Sequence, residues 1–187
     1  MPRTERASTV QYRPTDEPNL WPRLFSEAQL YAFHLEQRDS YAEPAEAERI
    51  KRYLAGEAPP ASTNREWPDL IHDATGRGVT VSRIRVVTVP HTDYHRWLLS
   101  VTKVRVDDGE DIRYLPRHLT SEIPPDDWWL FDGAKVAYNL ANETGGPAGL
   151  AITTDPQIAE YCTDVKDRLQ ELAIPYTEYV KSDFARK

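Results

Sequence analysis

Two arginines sit inside an apolar run. Arg83 and Arg85 alternate with Val81 and Val87 in the β-branched stretch Val79 to Val89, so all four point to one face of a strand. A guanidinium on a buried strand must be charge-paired or must line a cleft. Two readings stay open: a structural bridge to an internal carboxylate such as Asp132, or a site for an anion. Arg85 lies nearer the strand's C-terminal end, where α/β sheets place ligands, so Arg85 is expected at the cleft and Arg83 in the bridge. Tyr94, His95, Arg85 and Asp132 could then supply acid, base and anion contacts at the strand ends. Arg113 and Trp128 complete the ligand-binding candidates. Trp128-Trp129 must put one ring on each face of its strand, for packing or for stacking on a ligand.

Other spacings carry less chemistry. His91 and His95 stand four apart, as two ligands of a metal would on one helix face. Pro90 and a cap at Thr92 or Asp93 put His91 outside the helix, and no third ligand stands nearby, so no metal or cofactor is expected. Gly76-Arg-Gly78 precedes a strand and lacks a third glycine, which makes it a turn and not a phosphate loop. Cys162, the single cysteine, lies among Ile158, Val165 and Leu169 on an apolar helix face and reads as core.

These residues need elements to hold them. Residues 1–24 are polar, carry Pro2, Pro14, Pro18 and Pro22, and read as a flexible arm. Phe25, Ala28, Ala32 and Leu35 recur at helical spacing, which predicts a helix from Phe25 to Tyr41 with Ser26 as its cap. Pro44 opens a second helix that Gly56 closes, residues 58–64 are a linker by composition, and a third helix runs from Trp67 to Thr75. Residues 25–78 thus form a helical segment packed on the core. The core, residues 79–176, starts with the Val79 strand and a helix capped at Thr92 or Asp93 and ended by Asp107-Asp108-Gly109. Strands follow at Asp111–Leu115, Trp128–Asp132, Val136–Ala141 and Leu150–Thr153. Asp155-Pro156 starts a last long helix, Gln157 to Leu172, and residues 177–187 are a tail. The class is α/β with a mixed sheet.

Composition sets the outer bounds. The chain has 187 residues, 40% of them apolar and 28% charged, and a formal charge of −7. That is too apolar for a disordered chain, and no run approaches the ~20 apolar residues that span a bilayer. Met1 to Val10 lacks the apolar core of a signal peptide, so a cytoplasmic location is expected. Residues 77–118 hold eight Arg or Lys against five Asp or Glu, far short of a nucleic-acid footprint, and direct DNA binding is not expected.

The segment Pro125-Asp-Asp-Trp-Trp-Leu-Phe-Asp-Gly133, with a β-α-β-β-β-α element order, resembles one half of a phospholipase-D-like fold. That family ends an inner strand with His-x-Lys-x4-Asp followed by Gly. With Asp132 on the family's aspartate, Asp127 falls on its lysine and Pro125 on its histidine. The histidine is the phosphoryl nucleophile and the lysine neutralises the phosphate oxyanion, so the resemblance implies the fold without phosphodiesterase activity. The wider chain, about residues 25–176, also looks like an actinobacterial domain family without an established chemistry, often encoded beside or fused to helix-turn-helix regulators. Arg83-Ile-Arg-Val-Val, Thr92-Asp-Tyr-His-Arg-Trp, Gly109-Glu-Asp-Ile-Arg-Tyr-Leu and Trp129-Leu-Phe-Asp-Gly carry that likeness. It implies a non-catalytic regulatory or ligand-sensing module with such a regulator as partner and an anionic small molecule as a further candidate. The alternative is an enzyme acting on a small molecule or nucleotide from a relocated site in the sheet-end cleft.

Overall fold

The computed structural model of the chain describes residues 9–57 and 65–186. The first half runs β1 (Gln11–Arg13), α1 (Leu20–Glu27), β2 (Tyr31–Glu36), α2 (Pro44–Leu54), α3 (Glu66–Gly76) and β3 (Thr80–Val87). The second runs α4 (Asp93–Asp107), β4 (Asp111–Pro116), a single 3-10 turn at Arg117–Leu119, β5 (Trp128–Phe131), β6 (Lys135–Ala141) and β7 (Pro147–Thr153). Helix α5 (Pro156–Leu172), β8 (Ile174–Pro175) and α6 (Tyr176–Tyr179) close the chain. From β3 onward the order is β-α-β-β-β-β-α: all five strands expected after residue 78 are present, one more than the pattern β-α-β-β-β-α counts.

All eight described strands join one mixed sheet, ordered β1-β7-β6-β5-β2-β3-β4-β8. Strands β2, β3 and β4 are parallel, and every other pairing is antiparallel. The parallel trio sends its carboxyl ends to one rim of the sheet. Strand alternation sorts β2 and β3 into two faces. Phe33, Leu35, Ile84 and Val86 join Trp128, Leu130 and Val136 under Ala159, Cys162, Val165 and Leu169 of α5. The opposite face carries Ala32 and Val81, packed with Phe25 of α1 and Ile71 and Ala74 of α3. The same face holds His34, Glu36, Arg83 and Arg85, so part of it is polar and charged. Two helices start on side-chain caps. Thr92 accepts from the His95 amide at 3.2 Å, and Asp155, before Pro156, accepts from the amides of Gln157 and Ile158.

Three expectations are corrected. The helix from Phe25 to Tyr41 is two elements: α1 ends at Glu27, and Tyr31–Glu36 is a central strand. Residues 32–35 are buried on both faces, which erases the polar alternation that marks a strand. Ser26 does not cap; its hydroxyl donates to the Arg23 carbonyl. Within the supposed arm, β1 pairs with β7, and Leu20 and Leu24 are core residues. In the supposed tail, Tyr179 is fully buried and stacks on Tyr114 with ring centres 4.7 Å apart. The linker 58–64 lies outside the described residues.

Candidate functional site

Register brings the ionic residues together. In the parallel β2–β3 pair, His34 lies beside Arg83 and Glu36 beside Arg85, all on the face that α1 and α3 cover. Glu36 accepts from both arginines: Arg83 donates to one carboxylate oxygen, and Arg85 Nε donates to the other at 2.6 Å. Arg83 Nε also donates to Glu110 at 2.6 Å, while Arg85 reaches Thr102 Oγ1 at 2.6 Å and Tyr114 OH at 3.1 Å. Burial alone would raise the Glu36 carboxyl, yet Arg83 and Arg85 together hold it far below the usual carboxylate range. His34 stacks on Trp129 at 4.3 Å. Burial first, then Arg83, keeps it neutral. Arg105 of α4 lies over the Trp67 ring. Helix α2 roofs this layer, with Tyr94 OH donating to Glu46 at 3.2 Å and Arg49 over the Trp97 ring at 5.7 Å.

The rim at the carboxyl ends of β2 and β3 is a second polar group. Asp39 accepts from the Thr88 hydroxyl at 2.9 Å and lies 3.7 Å from Arg117 and 3.9 Å from His95 Nδ1. His95 is buried, and burial pushes it down to about 4 against the pull of Asp39. Asp127 accepts from the Gln37 amide at 2.9 Å and from Tyr41 OH, and burial pushes its carboxyl up to about 6. A neutral imidazole and a carboxyl that titrates near neutrality can both exchange protons with a bound group. Both ring nitrogens of His91 are engaged, at 3.1 Å each, by the Thr88 carbonyl and Tyr179 OH. Among the described residues, no three or more His, Cys, Asp or Glu stand together as metal ligands would.

Three of the six predicted residues share one region. Arg85 lies in the ionic layer, and Tyr94 and His95, with ring centres 5.8 Å apart, lie between that layer and the rim. The other three lie elsewhere. Arg113 sits beside Ile84 on the α5 side of β4, paired with Asp111 at 3.2 Å. Trp128 is fully buried on the α5 side against Phe33, while Trp129 packs under α1 and α3. Asp132, just after β5, accepts from the amides of Gln29, Leu30 and Tyr31 at 2.8 to 2.9 Å. The expected division between Arg83 and Arg85 is also corrected: both are buried and both are bridged, by Glu36 and Glu110 and not by Asp132. Glu36, Asp39 and Glu110 escaped the sequence reading. The first two fell inside the helix assigned to 25–41; a glutamate ending an apolar hexapeptide was the signal available. Cys162 is buried, 3.8 Å from Tyr138 OH, and burial raises its thiol to about 11.

Comparison with known proteins adds the fold. The family model described as Domain of unknown function (DUF6879) matches residues 19–181. Nuc from Salmonella typhimurium, a phospholipase D family member, superposes with a TM-score of 0.54 at 14% identity, over 90% of this chain and 98% of Nuc. NucT from Helicobacter pylori gives 0.54 at 13% identity, over 90% and 98%. TrmBL2, an archaeal chromatin protein, gives 0.49 at 14% identity over 92% of this chain, which spans 55% of the TrmBL2 chain. No curated protein matches. The fold is therefore mixed α/β and phospholipase-D-like. No helix among the described residues is long and apolar enough to cross a membrane.

Proposed function

The chain belongs to the DUF6879 family, a domain of unknown function, and from that premise we propose that it is a non-catalytic regulatory or ligand-sensing module. Its partner in this reading is a helix-turn-helix regulator, in an actinobacterial, cytoplasmic setting. The observation that carries the reading is the use made of the strand end at 125–132. The Asp132 carboxylate holds three backbone amides, and Asp127 is held by Gln37 and Tyr41, so both carboxylates serve the architecture. A proline and an aspartate occupy the positions that the phospholipase-D pattern gives to its nucleophile and its lysine. A charge of −7 opposes approach to a polyanion, which leaves DNA contact to the partner.

The test pairs the full chain with the helix-turn-helix regulator that this reading requires as its partner. Adding the chain should change the regulator's operator affinity by at least about 5-fold, read by fluorescence anisotropy. Unchanged affinity overturns the partnership. Incubation with bis(4-nitrophenyl) phosphate, with and without divalent metal, should release no nitrophenolate above buffer. Turnover that disappears in a folded Asp127→Asn variant overturns the non-catalytic assignment.

A second reading, an enzyme with a relocated site acting on a small molecule or nucleotide, is favoured by one observation. His95 is held neutral, 3.9 Å from Asp39, which Arg117 approaches at 3.7 Å. An imidazole, a carboxylate and a guanidinium thus converge at the carboxyl ends of parallel strands. Substrate turnover abolished by His95→Gln, in a protein that keeps its fold, would establish it.

A further inference from the structure

A cavity of about 250 Å³ lies away from the ionic layer and the rim, in the groove between α1 and the β1 edge of the sheet. Register explains its lining. Gln11 and Arg13 of β1 lie opposite Ile152 and Leu150 of β7, so both face α1, as does Lys135 of β6, opposite Phe131. Helix α1 contributes Arg23 and Glu27, one turn apart, while Leu24 and Ile152 make an apolar floor. Among the described residues, the lining carries three cations and one carboxylate.

That carboxylate is engaged, because Lys135 donates to Glu27. Arg13 and Arg23 come from different elements and share Glu17, which stands outside the lining. Arg23 donates to Glu17 at 2.8 Å, whereas Arg13 stands 3.7 Å from it. The side-chain hydrogen bond of Arg13 goes instead to the neutral amide oxygen of Gln11, at 2.9 Å. A guanidinium holds five N–H donors in a rigid fork, so both arginines keep donors for an oxyanion on the cavity side. Glu17 demonstrates the spacing: one carboxylate already reaches both.

The groove also lies over a short attachment. Strand β1 has three residues, and among the described strands its neighbour is β7 alone. Tyr12 OH donates to the Ala148 carbonyl at 3.0 Å. Gly149, at φ 116°, lets the strand in: a Cβ there would stand 2.4 Å from the Arg13 carbonyl oxygen. A strand this short depends on whatever else ties it down.

We propose that this groove binds a small organic oxyanion, a carboxylate or a phosphate monoester with a short apolar body, between Arg13 and Arg23. The bound oxyanion clamps β1 to α1. This rests on the ligand-sensing reading and gives it a site and a ligand class. The cavity is smaller than the ~300–1,000 Å³ of drug-sized sites, too small for a dinucleotide. Glu27, in the same lining, turns away a second acidic group.

The experiment titrates the full chain, in sodium chloride at constant ionic strength, with pentanoate or n-butyl phosphate. The two share a butyl body and differ in the oxyanion, so the arms tell carboxylate from phosphate. The readouts are the Nε–Hε resonances of Arg13 and Arg23, assigned with Arg13→Gln and Arg23→Gln, and amide exchange at residues 11–13. At least one compound should shift both resonances along a saturable curve. At ten times its Kd it should slow exchange at residues 11–13 about tenfold, while α5 keeps its protection. Arg23→Gln should abolish saturation yet melt close to the parent, since its side chain is 45% exposed and its ion pair superficial. Lys103→Gln, which loses the same charge on an exposed part of α4, should bind like the parent. No saturation with either compound, an equal response in Arg23→Gln, or an equal loss in Lys103→Gln overturns the site. Saturation with unchanged exchange at residues 11–13 overturns the clamp. A regulator whose operator affinity ignores a compound that does bind would refute the sensing reading and leave the site standing. Coupling to the regulator without binding in the groove would do the reverse.

Discussion

At the scale of single residues, Glu36 decides the character of the buried layer. Its two oxygens serve different arginines, so Glu36→Gln leaves two buried guanidiniums short of charge. Removing one member of such a group costs ~3–5 kcal/mol, a loss that urea denaturation reads directly. Arg83→Ala and Arg85→Ala should each destabilise by a similar amount, since each leaves one Glu36 oxygen without its cation; an Arg85→Ala variant as stable as the parent would contradict the bridge. Two rim residues give stability opposite slopes with pH. Asp127 titrates at about 6 in the fold, above the ~3.9 of an unfolded aspartate, so its contribution falls as pH rises from ~4 to ~6. His95 titrates at about 4, below an unfolded histidine's ~6.5, so its contribution is whole above ~6.5 and is lost as pH falls toward 4. Asp127→Asn should therefore gain on the parent by roughly 2 kcal/mol between pH 4 and 6.5, apart from any pH-independent cost. His95→Gln should remove part of the parent's acid lability. A pH-independent difference between Asp127→Asn and parent would show that Asp127 is ionised normally. The sequence made both arginines visible as strand residues that need a partner or a cleft, but it assigned only Arg83 to a bridge. Their partner was hidden because alternation identifies a face of a strand, not the residue that crosses to it from a neighbour.

At the scale of elements, β2 is the instructive failure. Tyr-Ala-Phe-His-Leu-Glu has small and aromatic residues in an order that fits a helix started at Phe25, and only its place between β3 and β5 makes it a strand. Elements bounded by local chemistry were legible: Thr92 for α4, Asp155-Pro156 for α5, and the β-branched run for β3. Asp132 ties the misread strand to its neighbour. Its backbone is left-handed at φ 53°, which aims the carboxylate back at the amides of residues 29–31. Burial would raise this carboxyl, yet those amides outweigh it and lower its pKa, so its contribution is present above ~4 and is lost as pH falls below that. Asp132→Ala should cost about 1–2 kcal/mol, at the low end for three amides because water can replace part of the carboxylate. Hydrogen exchange should speed up at Leu30 and Tyr31 while the α5 amides keep their protection. Unchanged exchange at residues 29–31 would mean that the carboxylate does not hold the start of β2.

At the scale of the whole molecule, the chain's last residues fasten its centre. The core from β3 to α5 could be read because each element carries its own periodicity or cap. The contributions of β1, β8 and α6 could not, since strands of two or three residues have no period to detect. Yet α6 places Tyr179 flat on Tyr114, and Tyr114 in turn bonds Arg85 and faces Thr102 OH at 2.8 Å. The Tyr179 hydroxyl meets His91 Nε2, whose other nitrogen is fixed by the carbonyl of Thr88, next to Asp39. One side chain thus joins the C-terminal segment to both the ionic layer and the rim. Tyr179→Phe keeps the stacked ring and loses one hydrogen bond, which should cost about 1 kcal/mol. Tyr179→Ala removes a fully buried ring and should cost ~3–5 kcal/mol, as large aromatic truncations in cores do. The two losses separate packing from polar contact in a single denaturation series. If Tyr179 acts through Tyr114, then Tyr179→Ala and Tyr114→Ala should be non-additive by ~0.5–3 kcal/mol in a double-mutant cycle. Additive losses would mean that the C-terminal segment packs against the sheet independently of the arginine layer.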